Sequence, residues 1–199
     1  MHAAGSLGPR TLAGRFAQLE VFGLEHRDAM RRAANDAETW RYMPVMAIGE
    51  GFERWCKWVA HESAKGTQIT FAVRRVSDGA LVGSTSYLAI SPENARVEIG
   101  FTWYAADAQG TAINPEAKLL LLTNAFETAG YNRVELKCDA RNARSRAAIL
   151  KLGATEEGTL RQHMWMPAGY YRDSVYYSVL KSEWPAVKIG LENRLSRST

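Results

Sequence analysis

A polar loop that runs directly into a helix is the feature of this sequence best suited to bind a phosphate. Asn114 is a favoured N-cap residue, and Pro115 suits a first helical position because its missing N–H would be unpaired there. Free N–H groups and the positive dipole of such a helix start attract anions. An ordinary strand-to-helix turn is the alternative. The loop consists of Gln109, Gly110, Thr111, Ala112, Ile113 and Asn114, and the helix is expected to end at Gly130.

The strand predicted before this loop, over residues 97–104, alternates between two faces. The apolar face consists of Val97, Ile99, Phe101 and Trp103, and the polar face of Glu98, Gly100 and Thr102. Glu98 either faces solvent at a strand edge or borders a cleft in which its carboxylate can receive a proton.

A second helix start carries three arginines. Asn142 is its candidate N-cap, and Ser145 lies three residues later. Arg141, Arg144 and Arg146 crowd this start, where positive charge opposes the helix dipole at about 0.3–1 kcal/mol each. A bound anion would offset that cost, and three solvated arginines are the alternative.

Periodicity of apolar residues predicts the elements that must position these groups and indicates an α+β sheet of mixed direction. The predicted strands are 15–22, 69–76, 80–89, 97–104, 133–139, 155–165 and 174–180, with a hairpin turn at 77–79. The predicted helices are 26–37, 50–65, the helix ending at Gly130, 143–152 and 183–195.

The composition of the chain limits the classes of protein to which it can belong. The 199 residues, 46% of them hydrophobic, suffice for one core, so a single domain is expected. No apolar run approaches the roughly 20 residues of a membrane helix, and no apolar segment follows a basic start, so we expect a cytoplasmic protein with no membrane partner. A net charge of +4 favours an anionic cofactor but is too small to predict binding of nucleic acid.

Cysteine and histidine usage predicts neither a disulfide nor a metal site. Cys56 and Cys138 fall in a helical and a strand pattern, which indicates two buried, reduced thiols. The four histidines lack metal-ligand spacing.

The order of these motifs is similar to a known family. After a strand come Gln109-x-x-Ala112-x-Asn114, a helix and another strand, then Asn142-x-x-Ser145 and Lys151-Leu152-Gly153-Ala154. Together they resemble the GNAT acetyltransferases. The tail resembles the branch of the RimJ and RimL ribosomal-protein N-acetyltransferases through Glu157-Gly158-x-x-Arg161, Gly169, Asp173, Tyr177 and Glu183-Trp184.

The resemblance covers about residues 15–185 and implies a fold. One GNAT-like domain is expected over residues 14–185, between a flexible N-terminus at 1–13 and a C-terminal helical extension and tail at 186–199. Its sheet would be mixed and mostly antiparallel, with about seven strands, splayed between the fourth and fifth and flanked by helices.

By the same resemblance, acetyl-CoA would lie in the splay as a co-substrate, without a metal. The strand backbone at Phe101 to Trp103 would pair with the pantetheine arm, and the loop amides would hold the pyrophosphate. The cofactor-binding residues expected are Phe101, Thr102, Trp103, Gln109, Gly110, Thr111, Ala112, Ile113, Asn114, Asn142, Arg144, Ser145 and Arg146.

The sequence departs from the family pattern at two places. Ala112 and Asn114 stand where small residues, often glycine, are usual, and a Cβ is costly if the loop needs positive φ. Ile149 stands where many relatives carry a tyrosine that protonates the leaving thiolate. Ser145 is therefore our candidate to hydrogen-bond that thiolate, and support of its own helix start is the alternative.

The activity implied is transfer of an acetyl group from acetyl-CoA to a primary amine, by direct attack on the thioester. The acceptor would be a protein N-terminal α-amine or a small-molecule amine, and Glu98 would be the base. Trp40, Tyr42 and Met43 would contact the acceptor, with core packing as their other use.

Two further hypotheses about the function stay open. One is a CoA-binding module without turnover. The other is a basic protein bound to nucleic acid, which needs the arginines at 141–146 to form one stripe with Arg161 and Arg172. The terminal helix or the closing hairpin could also form a homodimer interface.

Overall fold

The computed structural model describes residues 3–8 and 10–198. Its strands are β1 (Leu12–Ala13), β2 (Ala17–Val21), β3 (Ile69–Arg75), β4 (Leu81–Ser91), β5 (Arg96–Tyr104), β6 (Arg133–Asp139), β7 (Thr155–Met166) and β8 (Tyr170–Leu180). Its α-helices are α1 (Arg27–Ala33), α2 (Glu50–Ala64), α3 (Ile113–Thr123), α4 (Ala143–Leu152) and α5 (Trp184–Ser196). A π-helical turn, Asn124–Thr128, continues α3.

The strands form one mixed sheet in the order β1-β2-β3-β4-β5-β6-β8-β7. Every neighbouring pair is antiparallel except β5 and β6. These two are parallel because α3 crosses over between them. The mixed, mostly antiparallel sheet flanked by helices is confirmed, with eight strands where about seven were expected. The additional strand is β1, which is too short for a sequence pattern to show.

The sheet is splayed between β5 and β6. Their pairing covers Arg96–Glu98 opposite Arg133–Glu135, although both strands continue beyond it. These are the fifth and sixth strands, and become the fourth and fifth once β1 is set aside. The carboxyl-terminal halves of the two strands therefore form the two walls of a cleft.

Each face of the sheet has its own apolar core. One core packs Val97 and Val134 of the sheet with Leu121 of α3 and Leu191 of α5. The other lies beneath α2 and contains Phe52, Trp55, Trp40 and Trp103. The splay opens between these two cores.

The predicted alternation of β5 is wrong after Gly100. Phe101 has φ 46°, and the register with β4 shifts between Ser84 and Ser86. Because a bulge adds one residue, it reverses the face of every later residue. Trp103 accordingly packs beneath α2, on the face opposite Val97, and Thr102 faces α3, where it meets Lys118.

The predicted N-cap of α3 is also wrong. The helix begins at Ile113, so Asn114 lies inside its first turn, and the N-cap is Ala112, which has no side-chain cap. Gly110 turns the chain early at φ 76°, and the Thr111 hydroxyl closes the loop by donating to the carbonyl of Ala108. Local loop closure thus outweighs the preference of Asn for the cap.

The described part of the N-terminal segment contacts the body of the protein. Leu7 is buried, and its carbonyl accepts a hydrogen bond from the Asn124 amide. The amide of Gly5 donates to the carbonyl of Ala129. The flexible start at 1–13 and the division at residues 14, 185 and 186 remain predictions.

The other predicted elements agree with the structure to within a few residues, apart from β8, which begins at Tyr170 instead of Ser174, and α1, which ends at Ala33 instead of Ala37. Both cysteines are free and buried. Within residues 3–8 and 10–198 no helix is both long and apolar enough to cross a bilayer.

Candidate active site

A cavity of about 690 Å³ occupies the splay. Its walls come from β5, β6, the starts of α3 and α4, and the loop over residues 38–44. Most of the predicted site residues line it: Tyr42, Met43, Glu98, Phe101, Thr102, Trp103, Gln109, Gly110, Thr111, Asn114, Asn142, Arg144 and Ser145. The structure thus brings the strand, the loop and both helix starts to one cleft.

Four predicted residues do not line the cavity. Ile113 is buried in the core, and Ala112 is not among the residues that line the cavity. Arg146 points away and donates to the Tyr177 hydroxyl at 3.2 Å. Trp40, 2% exposed, packs against Trp103 with 5.2 Å between ring centroids, so it supports the cavity wall from behind instead of contacting an acceptor.

The start of α3 offers free backbone donors to the cavity. In the part of the chain that the structure describes, the amides of Gly110, Thr111 and Ala112 have no hydrogen-bond acceptor. Ala112 has φ −69°, which costs alanine nothing, and Gly110 is the loop position with positive φ. Ala112 therefore leaves this group of free amides, called the phosphate cradle after its proposed ligand, without backbone strain.

Arg144 connects the two helix starts across the mouth of the cleft. Its guanidinium donates to the Gln109 side-chain carbonyl at 2.5 Å, and the Gln109 amide donates to the carbonyl of Tyr104 at 2.9 Å. A positive charge is thereby held beside the free amides, where an anion would bind.

The start of α4 is capped as predicted. The Asn142 side chain accepts a hydrogen bond from the Ser145 amide at 3.0 Å. Burial raises the pKa of the nearby Cys138 thiol, and the Ser145 side chain lowers it by a lesser amount. Ser145 therefore supports the start of its own helix and also borders the cavity.

The arginine stripe required for nucleic-acid binding does not form. Arg172 is 4% exposed, so it cannot belong to a surface stripe. Arg141 pairs with Asp139 at 3.2 Å, and Arg146 pairs with Glu156 at 3.3 Å.

Glu98 borders the cavity, as the cleft alternative requires. It is 5% exposed, and its carboxylate pairs with the Lys137 ammonium at 2.8 Å. Alternation along β6 places Lys137 on the face opposite Cys138. Glu98 and Lys137 therefore lie on the sheet face covered by α2, whereas α3 and α4 cover the other face.

Lys118 is a buried amine that the sequence reasoning missed. It is 8% exposed and donates to the Thr102 hydroxyl at 2.8 Å, with Thr85 at 3.4 Å. Burial lowers its pKa to about 7. The sequence did offer one indication of this burial, since Lys118 lies beside Ala117 and Leu121, which belong to the apolar stripe of α3.

Arg172 is a second missed residue of the cavity wall. Its Nε donates to the Ser174 hydroxyl at 2.8 Å. The sequence left Arg172 between two predicted strands, one ending at Trp165 and the next beginning at Ser174, because the apolar alternation of β8 is not visible before Ser174. Among residues 3–8 and 10–198, no group of three or more His, Cys, Asp or Glu side chains could hold a metal ion.

Sequence comparison identifies the domain. Residues 18–155 match the acetyltransferase (GNAT) domain. The Bacillus subtilis (strain 168) protein YdaF, named as a candidate ribosomal N-acetyltransferase, is 38% identical over 111 residues, which are 56% of this chain and 60% of YdaF. This chain therefore covers less than two thirds of that relative.

Solved structures have the same fold. A GCN5-related N-acetyltransferase from Brucella melitensis superposes with a TM-score of 0.91 and 28% identity, over 99% of this chain and 90% of that one. Mycobacterium smegmatis RimJ in complex with CoA-disulfide gives a TM-score of 0.81 at 21% identity, over 98% of this chain and 97% of RimJ. With the domain match, these findings show that the chain belongs to the GNAT acetyltransferase family, in its RimJ/RimL-like branch.

Proposed function

We propose that this protein transfers the acetyl group of acetyl-CoA to a primary amine. The observation that carries the proposal is the continuous cavity between β5 and β6, which runs from the free amides at Gly110 to the carboxylate of Glu98. One end suits a pyrophosphate and the other suits an amine. The CoA compound bound by RimJ, which has the same fold, supports this choice of donor.

The donor would be held by backbone and by charge. The amides of Gly110, Thr111 and Ala112, with Arg144 beside them, would bind the pyrophosphate. The part of β5 beyond Glu98 has no described strand partner on its β6 side, so its backbone groups are available to the pantetheine arm.

The reaction would be direct attack. The amine nitrogen bonds to the thioester carbonyl carbon, the C–S bond breaks, and CoA leaves as the thiolate. The Ser145 hydroxyl would hydrogen-bond this sulfur, since Ile149 supplies no acid there. Glu98 would take the proton lost by the amine, directly or through water.

The acceptor would enter on the sheet face covered by α2, between the loop over residues 38–44 and Glu98. An α-amine with pKa about 7.7–8.0 pays about 1–1.5 kcal/mol to be neutral at pH 7, whereas a lysine side chain pays roughly 4–5 kcal/mol. An N-terminal α-amine therefore makes the smaller demand on Glu98. The ribosomal assignment of YdaF agrees with a protein N-terminus as acceptor.

Release of free thiol from acetyl-CoA, measured over a panel of peptide N-termini and small amines, tests the activity. Amine-dependent thiol release, with an acetylated product of matching mass, would support the proposal. Tight binding of CoA with no thiol release for any amine would replace it with a CoA-binding module that lacks turnover.

A further inference from the structure

A buried positive charge in the cavity, that of Arg172, has no ion-pair partner among the described residues. Arg172 is 4% exposed, and its Nε donates to Ser174 at 2.8 Å. Its terminal nitrogens make no hydrogen bond or ion pair with any residue in 3–8 or 10–198. A buried guanidinium without a partner is costly, so a ligand anion would stabilise it.

The other charges around Arg172 are already paired. The carboxylate of Asp139 accepts from Arg141 at 3.2 Å and from the Tyr170 hydroxyl at 2.7 Å. Glu98 pairs with Lys137.

Across the cavity, Glu38 pairs with Arg41 at 3.2 Å. His163 contacts Ser174 at 3.0 Å, and burial, followed by the charges of Lys137 and Arg172, lowers its pKa, which favours the neutral ring. Arg172 is therefore left without an ion-pair partner among these charged groups.

Arg172 lies on the sheet face where the acceptor would enter. Ser174 is directly opposite Asp139 in the β6–β8 register, and Tyr176 is opposite Lys137. Directly opposed residues lie on the same face of a sheet, so Ser174 and Tyr176 lie on the face of Lys137. Arg172 is two residues from Ser174 along β8 and therefore lies on this face as well. The start of α3 lies on the other face, so Arg172 lines the cavity from the face opposite the phosphate cradle.

The strand register also sets the distance between Arg172 and Glu98. Nε of Arg172 is held at the level of Ser174, which is two residues along β8 from Tyr176 and the Lys137–Glu98 pair. Two residues of a strand span ~7 Å. An amine at Glu98 and an anion at Arg172 would therefore be several bonds apart, further than the amine and carboxylate of a free α-amino acid.

We infer that Arg172 binds a carboxylate of the acceptor, and that the preferred acceptor is a peptide N-terminus with an acidic side chain at its second residue. This inference rests on the proposed function, because it assumes an amine acceptor at Glu98. A planar guanidinium with two free nitrogens matches a carboxylate in bidentate geometry.

The test uses two peptide amides that differ by glutamate or glutamine at the second position. Calorimetry measures their binding to the CoA-loaded protein, and thiol release measures kcat/KM. We expect both affinity and kcat/KM to favour the acidic peptide by roughly 10–100-fold, the range for a hydrogen-bonded charge. Arg172→Gln should abolish this preference through KM, and Arg172→Lys should retain part of it.

Arg161→Gln is the matched control, because it removes the same charge from an exposed position of β7 outside the cavity. It should keep the preference. Circular dichroism and acetyl-CoA affinity check that the Arg172 variants are folded.

Equal binding of the two peptides to wild-type protein that binds acetyl-CoA would overturn the inference alone. So would a preference that survives in Arg172→Gln. Failure of the wild-type protein to bind acetyl-CoA would instead remove the proposed function, and the inference with it.

Discussion

At the residue scale, Glu98, which pairs with Lys137, is the proposed acceptor of the proton that the amine loses. Replacing Glu98 by glutamine removes the acceptor for that proton. We expect kcat to fall by roughly 10²–10⁴-fold, the usual range for general-base catalysis, most strongly near neutral pH, where amines are mostly protonated. Acetyl-CoA affinity should not change. The pH dependence of thiol release checks this.

Glu135→Gln provides the control for this substitution. Glu135 lies on the same sheet face, pairs with Arg133 at 2.8 Å, and does not line the cavity. It should retain full activity. An unchanged pH–rate profile in Glu98→Gln would exclude Glu98 as the base.

The buried amine of Lys118 predicts a pH dependence of stability. Its pKa in the folded protein is about 7, against an ordinary value of 10.5. Between these values the unfolded chain holds more protons, so stability rises with pH, by about 1.4 kcal/mol per pH unit from this group.

Lys118→Met removes this dependence. The variant should be more stable than the wild type near pH 7, and the difference should shrink as the pH approaches 10. Denaturant unfolding at several pH values measures it. Lys57→Met, on the exposed face of α2, is the control. A stability difference independent of pH would contradict a neutral Lys118.

At the element scale, the loop before α3 predicts opposite outcomes for two small residues. Gly110 has φ 76°, so Gly110→Ala would strain the cradle by about 1 kcal/mol and weaken acetyl-CoA binding by roughly fivefold. Ala112 has φ −69°, so Ala112→Gly should leave affinity unchanged. Titration calorimetry compares the two variants. Tighter binding by Ala112→Gly would mean that the observed loop is not the binding conformation.

Elements with regular periodicity were predictable from the sequence. Both α4 and β6 have the predicted bounds. The bounds of α4 were predictable because Asn142 caps the helix and Gly153, at φ 102°, ends it. The bulge at Phe101 was not predictable, because Phe101 adopts φ 46° in a tertiary setting where its ring packs against Trp58 at 4.7 Å. That bulge, and not the alternation, decides which face Trp103 and Thr102 occupy.

At the scale of the whole molecule, Glu116 ties α3 to the edge of the sheet. Its carboxylate accepts hydrogen bonds from the amides of Arg15 at 2.9 Å, Phe16 at 2.5 Å and Ala17 at 2.6 Å. In the sequence, Glu116 is only an acidic residue two positions after Asn114. Its contacts join positions about 100 residues apart, which no local pattern can reveal.

Glu116→Gln turns an amide donor toward these backbone donors. We expect a loss of about 3 kcal/mol in the free energy of unfolding, the scale of hydrogen bonds to a buried charge, measured by denaturant unfolding. Glu192→Gln, on the exposed side of α5, should change it by less than about 0.5 kcal/mol. Equal effects of the two substitutions would refute the structural role of Glu116.

Most of the predicted site residues do line the cavity, because strand, loop and helix starts carry recognisable motifs. Two charged residues of the wall that were not predicted, Lys118 and Arg172, lie inside apolar or irregular stretches. Their significance depends on burial and on the absence of a described counter-ion, both of which require the assembled sheet.

The proposed acetyl transfer requires that the splay binds acetyl-CoA through the cradle at the start of α3. Calorimetric titration of the wild-type protein with acetyl-CoA tests it most directly. We predict saturable one-to-one binding, and weaker binding of dephospho-CoA if Arg144 or Arg141 contacts the 3′-phosphate. Absence of measurable binding would contradict the account and leave a GNAT fold whose cleft has another ligand.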